Sequence, residues 1–172
     1  DIAPSRMDKA KQTLSKLIDE LSNDKIGLIV FAGDAYTQLP ITADYVSAKM
    51  FLNTISTDMV PVQGTAIGKA LELAMRSFGA KTEADRAIVV ITDGENHEDD
   101  ALAKAKACLE AGVRVHVIGM GQPKGAPIPL GRANDFHKDK EGNVVISKLN
   151  EDMCRQIAQA GGGLYVRSDN SN

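Results

Sequence analysis

Two polar residues of this chain, Asp93 and Thr65, stand where a sheet protein could use them for chemistry. Asp93 ends the largely apolar run of residues 87–92 and precedes Gly94. A buried parallel strand there would carry its carboxylate to the strand's carboxyl end, where open α/β sheets bind ligands. Thr65 follows Gly64 and opens the helical pattern of residues 66–74. A hydroxyl and a carboxylate so placed could share one hard cation.

The residues that follow Asp93 make a metal site more plausible than a simple turn. Residues 95–100 contain four carboxylates and His97, so the loop is acidic and can attract a divalent ion. A turn residue that merely follows a strand is the alternative interpretation of Asp93. The sequence therefore predicts Thr65 and Asp93 as metal-site positions of the intact protein.

Other motifs in the chain fit known sites poorly. Residues 64–70 have three residues between their glycines and Ala70 where a phosphate loop needs Ser or Thr. Residues 137–142 begin with His137 where a calcium loop needs Asp, so a solvated hairpin turn is predicted instead. His97 and His137 are isolated, and His116 is predicted to be a strand residue with a satisfied ring. No nucleophile with an orienting acid is evident.

The hydrophobic periodicity predicts alternating helices and strands. Ser5 and Asp8 mark a helix start, Asp44 and the pair Asp99 and Asp100 are expected helix caps, and Gly112 a helix stop. Residues 119–132 have too many Pro and Gly for regular structure, and residues 135–146 form a hairpin. The expected helices cover 7–21, 44–55, 65–78, 101–109 and 150–160, and the strands 26–32, 36–39, 86–92, 114–118 and 164–166.

This order indicates an α/β fold: a Rossmann-like, doubly wound, mostly parallel sheet with helices on both faces. The strands at 26–32 and 36–39 are close enough to pair as an antiparallel hairpin, which supplies one short antiparallel edge strand.

Two segments resemble the von Willebrand factor A domain. They are Gly-Thr-x-Ile-Gly-x-Ala-Leu from Gly64 and Ile-Val-Val-Ile-Thr-Asp-Gly ending at Gly94, and the resemblance spans nearly the whole chain. That family's first metal motif, Asp-x-Ser-x-Ser, is not found, and residues 1–11 resemble the segment just after it in bacterial aerotolerance (Bat) membrane proteins. We therefore expect a single domain over residues 1–172, truncated at its amino end, with a Bat-type insertion and hairpin at 120–148.

The resemblance also implies a strand order. In the family, the first strand lies between the strands predicted here at 26–32 and 87–92. These two strands should therefore not hydrogen-bond to each other, and should stand about two strand spacings apart, roughly 9 to 10 Å.

The resemblance implies a metal-ion-dependent protein interaction module and not an enzyme. In the family, the residue matching Thr65 binds Mg²⁺, Ca²⁺ or Mn²⁺ directly and the one matching Asp93 acts through water. Without the missing motif, metal binding should be weak or absent. The implied partner is a protein that offers an Asp or Glu carboxylate, with other Bat-type proteins or a MoxR-type AAA ATPase as candidates. The implied parent is anchored in the bacterial inner membrane, with this soluble domain in the periplasm.

Composition excludes several other classes. The net charge is -3 with mixed signs and aromatics are 4%, which argues against nucleic-acid binding. No apolar run approaches the ~18 residues of a membrane span. Cys108 and Cys154 fit inert buried thiols. Two alternatives remain open: a doubly wound α/β enzyme that uses Asp93 at the carboxyl edge, and a metal-free scaffold.

Overall fold

The computed structural model describes residues 5–62, 64–79, 83–95, 100–122, 124–127, 138–144 and 146–168. Within these residues, five helices alternate with the main strands. The elements are α1 (Arg6–Glu20), β1 (Ile26–Phe31), β2 (Ala35–Thr42), α2 (Tyr45–Thr54), a 3-10 turn (Thr57–Met59), α3 (Ile67–Ser77), β3 (Arg86–Thr92), α4 (Ala101–Glu110), β4 (Val113–Met120), β5 (Ala126–Pro127), β6 (Ile146–Ser147), α5 (Glu151–Ala160) and β7 (Gly162–Ser168).

Most helices begin where the sequence predicts, because their caps are local. Ser5 accepts a hydrogen bond from the Asp8 backbone, and the Asp8 side chain accepts one from the Ser5 backbone. The Ser5 hydroxyl also lowers the pKa of Asp8. The Asp44 and Asp100 side chains cap α2 and α4 by accepting the backbone N–H groups of Ser47 and Ala103. Asp99 lies outside the described residues.

A parallel sheet of order β3-β4-β7 forms the centre of the larger core. Val90 pairs with Val117, and Ile118 pairs with Val166. On one face, Val117 packs in the core that also contains Ile157 of α5. On the other face, Ile118 and Leu17 of α1 line a shallow cavity of about 450 Å³. Side chains alternate along a strand, so these two contacts place α5 and α1 on opposite faces of the sheet, and the predicted α/β class is confirmed.

A separate antiparallel sheet contains β1 and β2. The predicted hairpin is confirmed, although β2 is longer than expected and includes Pro40. Proline is tolerated there because β2 is an edge strand with an irregular register. The β1–β2 sheet shares a hydrophobic core with α1 and α2. The buried residues of this core are Ile18, Leu28, Leu39, Ala48, Leu52 and Ile55.

Within the described residues, β1 pairs with β2 and β3 pairs with β4, and β1 and β3 do not pair with each other. The predicted lack of direct hydrogen bonding between β1 and β3 is therefore confirmed. Their separation of about two strand spacings stays a prediction.

The segment after β4 is more ordered than its breakers indicate. β4 runs on to Met120, and β5 and β6 pair in a two-residue antiparallel ladder. The Gln122 carbonyl accepts hydrogen bonds from the Gly125 and Leu149 backbones, so tertiary contacts supply the order that the local sequence lacks. The prediction of no regular structure at 119–132 is wrong for residues 119–120 and 126–127, and residues 128–132 lie outside the described part.

The predicted hairpin turn is present. Lys138 pairs with Val144, and Asp139 accepts hydrogen bonds from the backbones of Glu141 and Asn143. These bonds lower the pKa of Asp139. The expected strand arm at 135–137, including His137, lies outside the described residues.

Candidate functional site

Asp93 is held at the carboxyl end of β3 by hydrogen bonds on both sides. Its Oδ1 accepts the Glu95 backbone N–H at 3.1 Å, and its carbonyl accepts the Asn150 backbone N–H at 2.7 Å. The Thr92 hydroxyl, which is buried, accepts the Gly94 N–H at 3.1 Å. The carboxylate is a quarter exposed, with a relative side-chain exposure of 25%, so it is positioned by the fold and still reachable.

Gly94 makes this turn possible. Its φ of +79° lies in the left-handed region, which residues other than glycine rarely adopt. A Cβ at this position would lie 2.3 Å from the Asn150 carbonyl oxygen and 2.7 Å from Cys154 Sγ. The close approach of α5 to the loop therefore requires glycine immediately after Asp93.

Thr65 lies beside the carboxyl end of β1. The Ala66 N–H donates to the Ala32 carbonyl at 2.6 Å, and the Gly33 N–H donates to the Val62 carbonyl at 2.9 Å. α3 begins at Ile67 with Ala66 as its cap residue and no side-chain cap bond. The expected helix start at Thr65 is therefore two residues too early, because the bonds to β1 hold residues 65 and 66 in an irregular segment.

The structure brings Thr65 and Asp93 to the carboxyl ends of two strands in one part of the fold. Ile67, two residues after Thr65, packs in the same core as Val90, three residues before Asp93. Phe31, at the end of β1, packs against that core. Because the cap residue of α3 is Ala66, the Thr65 hydroxyl is not the cap of this helix. It is thus an oxygen donor that helix capping does not use.

Arg6 is a site residue that sequence reasoning missed. Its Nη1 lies 3.3 Å from Asp93 Oδ2 and 2.8 Å from Ser147 Oγ. The signal in the sequence is weak: a cation at the first helical position opposes the helix dipole and therefore needs another partner. Eighty-seven residues separate Arg6 from Asp93, so no local pattern reveals which partner it takes.

A polar network borders the site at the start of α5. The Tyr165 hydroxyl donates to Glu151 Oε1 at 2.8 Å, and Arg155 and Arg167 each lie 3.6 Å from a Glu151 oxygen. Burial, and next the Glu151 hydrogen bond, raise the pKa of Tyr165. The Arg155 guanidinium also stacks 5.3 Å from the Tyr165 ring centroid. This network fixes α5 against β7 and so supports the loop that carries Asp93.

The two cysteines are buried free thiols, as predicted. Burial, and next the charge of Asp93, raise the pKa of Cys154 to about 12. Burial also raises the pKa of Cys108. A thiol that stays protonated at neutral pH is a poor nucleophile, so neither cysteine is a candidate for covalent catalysis.

Only some of the histidines and acidic loop residues lie within the described part of the chain. His116 Nδ1 accepts the Leu164 N–H at 3.0 Å, which satisfies its ring as expected. His97, Glu98 and the neighbouring residues 96 and 99 lie outside the described part. Among described residues, no group of three or more His, Cys, Asp and Glu could hold a metal ion.

Comparison with known proteins decides the family. Residues 1–139 match the von Willebrand factor type A domain. The chain belongs to the von Willebrand factor type A family. Such domains, and the Bat-related proteins among them, are generally non-enzymatic interaction modules.

The solved structures it resembles include two Bat-type von Willebrand factor A proteins. One is an aerotolerance-related membrane protein from Bacteroides fragilis, with 58% identity over 99% of this chain and 85% of that one, at a TM-score of 0.93. The other is BatB from Bacteroides thetaiotaomicron, with 59% identity over 100% and 84% and a TM-score of 0.94. The resemblance to Bat-type proteins is thus confirmed.

A curated relative is an uncharacterised protein of Borreliella burgdorferi, 27% identical over 96% of this chain. This chain spans 51% of that relative's length. None of the described helices is long and apolar enough to cross a bilayer.

Metal binding occurs within the fold family. A mussel byssus matrix protein with this fold, 16% identical at a TM-score of 0.65, has a zinc-occupied metal-ion-dependent adhesion site (MIDAS) motif. In the present chain, Thr65 and Asp93 offer the hydroxyl and carboxylate oxygens that hard cations prefer. Arg6 places a positive charge against Asp93 Oδ2. The oxygens of Thr65 and Asp93 are therefore suitable ligands for a hard cation. Two ligands fill only part of its coordination sphere, and other oxygens would have to fill the rest.

Proposed function

We propose that this chain is a metal-dependent protein-binding domain of a Bat-type protein, with Thr65 and Asp93 as two of the groups that hold the cation. The observation that carries the proposal is their placement at the carboxyl ends of β1 and β3, in a chain that belongs to the von Willebrand factor A family. Ligands of open α/β sheets bind at that edge.

The chemistry of the donors favours Mg²⁺, with Ca²⁺ or Mn²⁺ as substitutes. Mg²⁺ prefers six oxygens in an octahedron and keeps several waters. Thr65 would supply a hydroxyl directly, and Asp93 would act through a water. An Asp-x-Ser-x-Ser strand between β1 and β3 would supply further oxygens, and one vertex would remain for a carboxylate of the partner.

The partner is therefore a protein that presents an Asp or Glu. Glu95 and Asp100 lie on either side of the acidic loop after β3, so basic residues around the partner's carboxylate would complement this surface. The name of the Bacteroides fragilis relative, an aerotolerance-related membrane protein, supports a membrane-anchored parent. The location of this domain in the periplasm is part of the proposal.

Metal titration of matched variants tests the site. We define the extended protein as this chain with an Asp-x-Ser-x-Ser strand joined ahead of Asp1. By calorimetry, the extended protein should bind Mg²⁺ and this chain should bind it weakly. Thr65→Val and Asp93→Asn should each weaken binding tenfold or more, a loss of about 1.4 kcal/mol. Thr37→Val and Asp58→Asn, at exposed positions, are the controls.

Equal affinity of Thr65→Val, Asp93→Asn and the unmodified extended protein would refute the assignment. A pull-down from bacterial membranes, with Mg²⁺ and with chelator, then tests the function. A partner lost with chelator supports metal-bridged binding, whereas a partner retained equally supports a metal-free scaffold. Turnover of a small substrate that Asp93→Asn abolishes, without any protein partner, would support an enzyme instead.

A further inference from the structure

The Arg6 guanidinium joins two parts of the chain that are distant in sequence. Nη1 lies 3.3 Å from Asp93 Oδ2 at the end of β3 and donates to Ser147 Oγ of β6 at 2.8 Å. The first residue of α1 thereby contacts both the candidate metal edge and the β5–β6 ladder of the insertion.

Arg6 does not stabilise the amino end of α1. A cation in the first turn opposes the helix dipole, and Ser5 and Asp8 already form the cap. The side chain instead extends past the carboxyl end of β4, where a Cβ on Gly121 would lie 3.9 Å from Arg6 Cδ and from Nη1. The favourable contacts of the guanidinium are with Asp93 and Ser147.

The Asp93 carboxylate has one oxygen committed to each side. Oδ1 accepts the Glu95 N–H, and Oδ2 faces Arg6. A divalent ion that uses Asp93, directly or through water, would stand within a few ångströms of the guanidinium. Two cations so close repel each other, and they compete for the same oxygen.

We propose that Arg6 is a latch that competes with the metal. It holds Asp93 and the β5–β6 ladder together when no metal is bound, and a divalent cation at Asp93 displaces it and loosens the ladder through Ser147. This inference rests on the proposed metal site and adds a second surface, the insertion, that responds to occupancy. Linkage requires the reverse effect as well: weakening the latch strengthens metal binding.

The first test needs no metal and uses this chain in chelator. Hydrogen exchange of the amides at residues 146–149 should become about two- to fivefold faster in Arg6→Gln, the range that one partly exposed ion pair supports. Ser147→Ala should act similarly. Arg114→Gln removes the same charge from an exposed position on β4 and should change nothing. Equal exchange in Arg6→Gln and Arg114→Gln would overturn the latch.

The second test is Mg²⁺ titration of the extended protein. Arg6→Gln should bind Mg²⁺ about two- to fivefold more tightly than the unmodified extended protein, and Arg114→Gln should match the latter. Added Mg²⁺ should accelerate exchange at residues 146–149 in the unmodified extended protein but not in Arg6→Gln.

The possible failures are distinguishable. If the extended protein binds Mg²⁺ and Arg6→Gln has the same affinity, competition is overturned and the metal site stands. If the extended protein binds no Mg²⁺, the proposed function and the competition both fail. Faster exchange of Arg6→Gln in chelator would then support only the structural link between Asp93 and Ser147.

Discussion

The backbone N–H of Asn150 donates to the carbonyl of Asp93 at 2.7 Å and thereby joins the start of α5 to the end of β3. The Asn150 side chain at the same time accepts the Met153 N–H and caps α5. One residue thus ends the segment that follows the β5–β6 ladder, begins a helix and fixes the loop of the candidate site. The position of Asp93 depends on this junction as much as on its own strand.

Gly94→Ala should destabilise the chain much more than Gly112→Ala. Both glycines have nearly the same φ, +79° and +80°, but a Cβ at Gly94 would collide with Asn150 and Cys154, whereas nothing lies within 4 Å at Gly112. The backbone penalty, about 1 kcal/mol, is common to both, so the excess measures the packing of α5 on the loop. Guanidinium unfolding provides the measurement. Equal losses would show that α5 does not press on this loop.

Stability should fall as the pH rises above about 9, and Cys154 should cause part of the fall. Its pKa is raised from 9.0 to about 12, so the native state resists deprotonation that the unfolded chain undergoes. The stabilisation is complete below pH 9 and is lost between pH 9 and 12, by about 1.4 kcal/mol per pH unit. The free energy of unfolding, measured between about pH 8 and 10.5, should decrease less steeply with pH in Cys154→Ala than in the unmodified chain.

Tyr165 should contribute to the same alkaline fall, because its pKa is also raised, through burial and the Glu151 hydrogen bond. Its stabilisation is present below its ordinary pKa of 10.0 and is lost as the pH rises above it. Tyr165→Phe should therefore reduce the slope. An unaltered slope in Tyr165→Phe would contradict the raised pKa of Tyr165.

The facing edges of β1 and β3 should be open to a further strand. Within the described residues these strands do not pair, so backbone groups along both are expected to lack strand partners. The extended protein should therefore melt at a higher temperature than this chain and should protect amides in Ile26–Phe31 and Arg86–Thr92 from exchange. A crystal structure with β1 bonded directly to β3 would contradict this.

Association with a partner should weaken with salt. Residues 95–100 are rich in carboxylates, and basic groups around the partner's own carboxylate would be attracted to them through screened electrostatics. Binding should weaken as the salt concentration rises from about 50 to about 300 mM, because the Debye length, about 10 Å at 0.1 M, shortens over this range. Glu95→Gln should reduce this dependence, and Glu20→Gln, exposed on α1, should retain it. Binding that is indifferent to salt would argue for an apolar contact.

The sequence by itself determined the alternation of helices and strands. The strand at 86–92 and the start of α2 follow from patterns that span only a few residues, as do the caps at Ser5 and Asp100. Hydrophobic period and side-chain capping act within a turn or two of the chain, so they are visible without the fold. The placement of Asp93 directly after a parallel strand was predictable for the same reason. The expectation that this strand is buried is wrong for most of it, because only Val90 and Thr92 are buried.

Only the tertiary structure decided which distant groups meet. The partnership of Arg6 with Asp93 and Ser147, the pairing of β5 with β6 and the start of α3 at Ile67 all depend on contacts between separate elements. Gly163 shows the same limit: a Cβ there would lie 2.1 Å from the Val115 carbonyl oxygen, and no local sequence pattern indicates this close approach. Such contacts depend on how the helices and strands pack together. The residues next to each contacting side chain in the sequence do not indicate which distant residue it will contact.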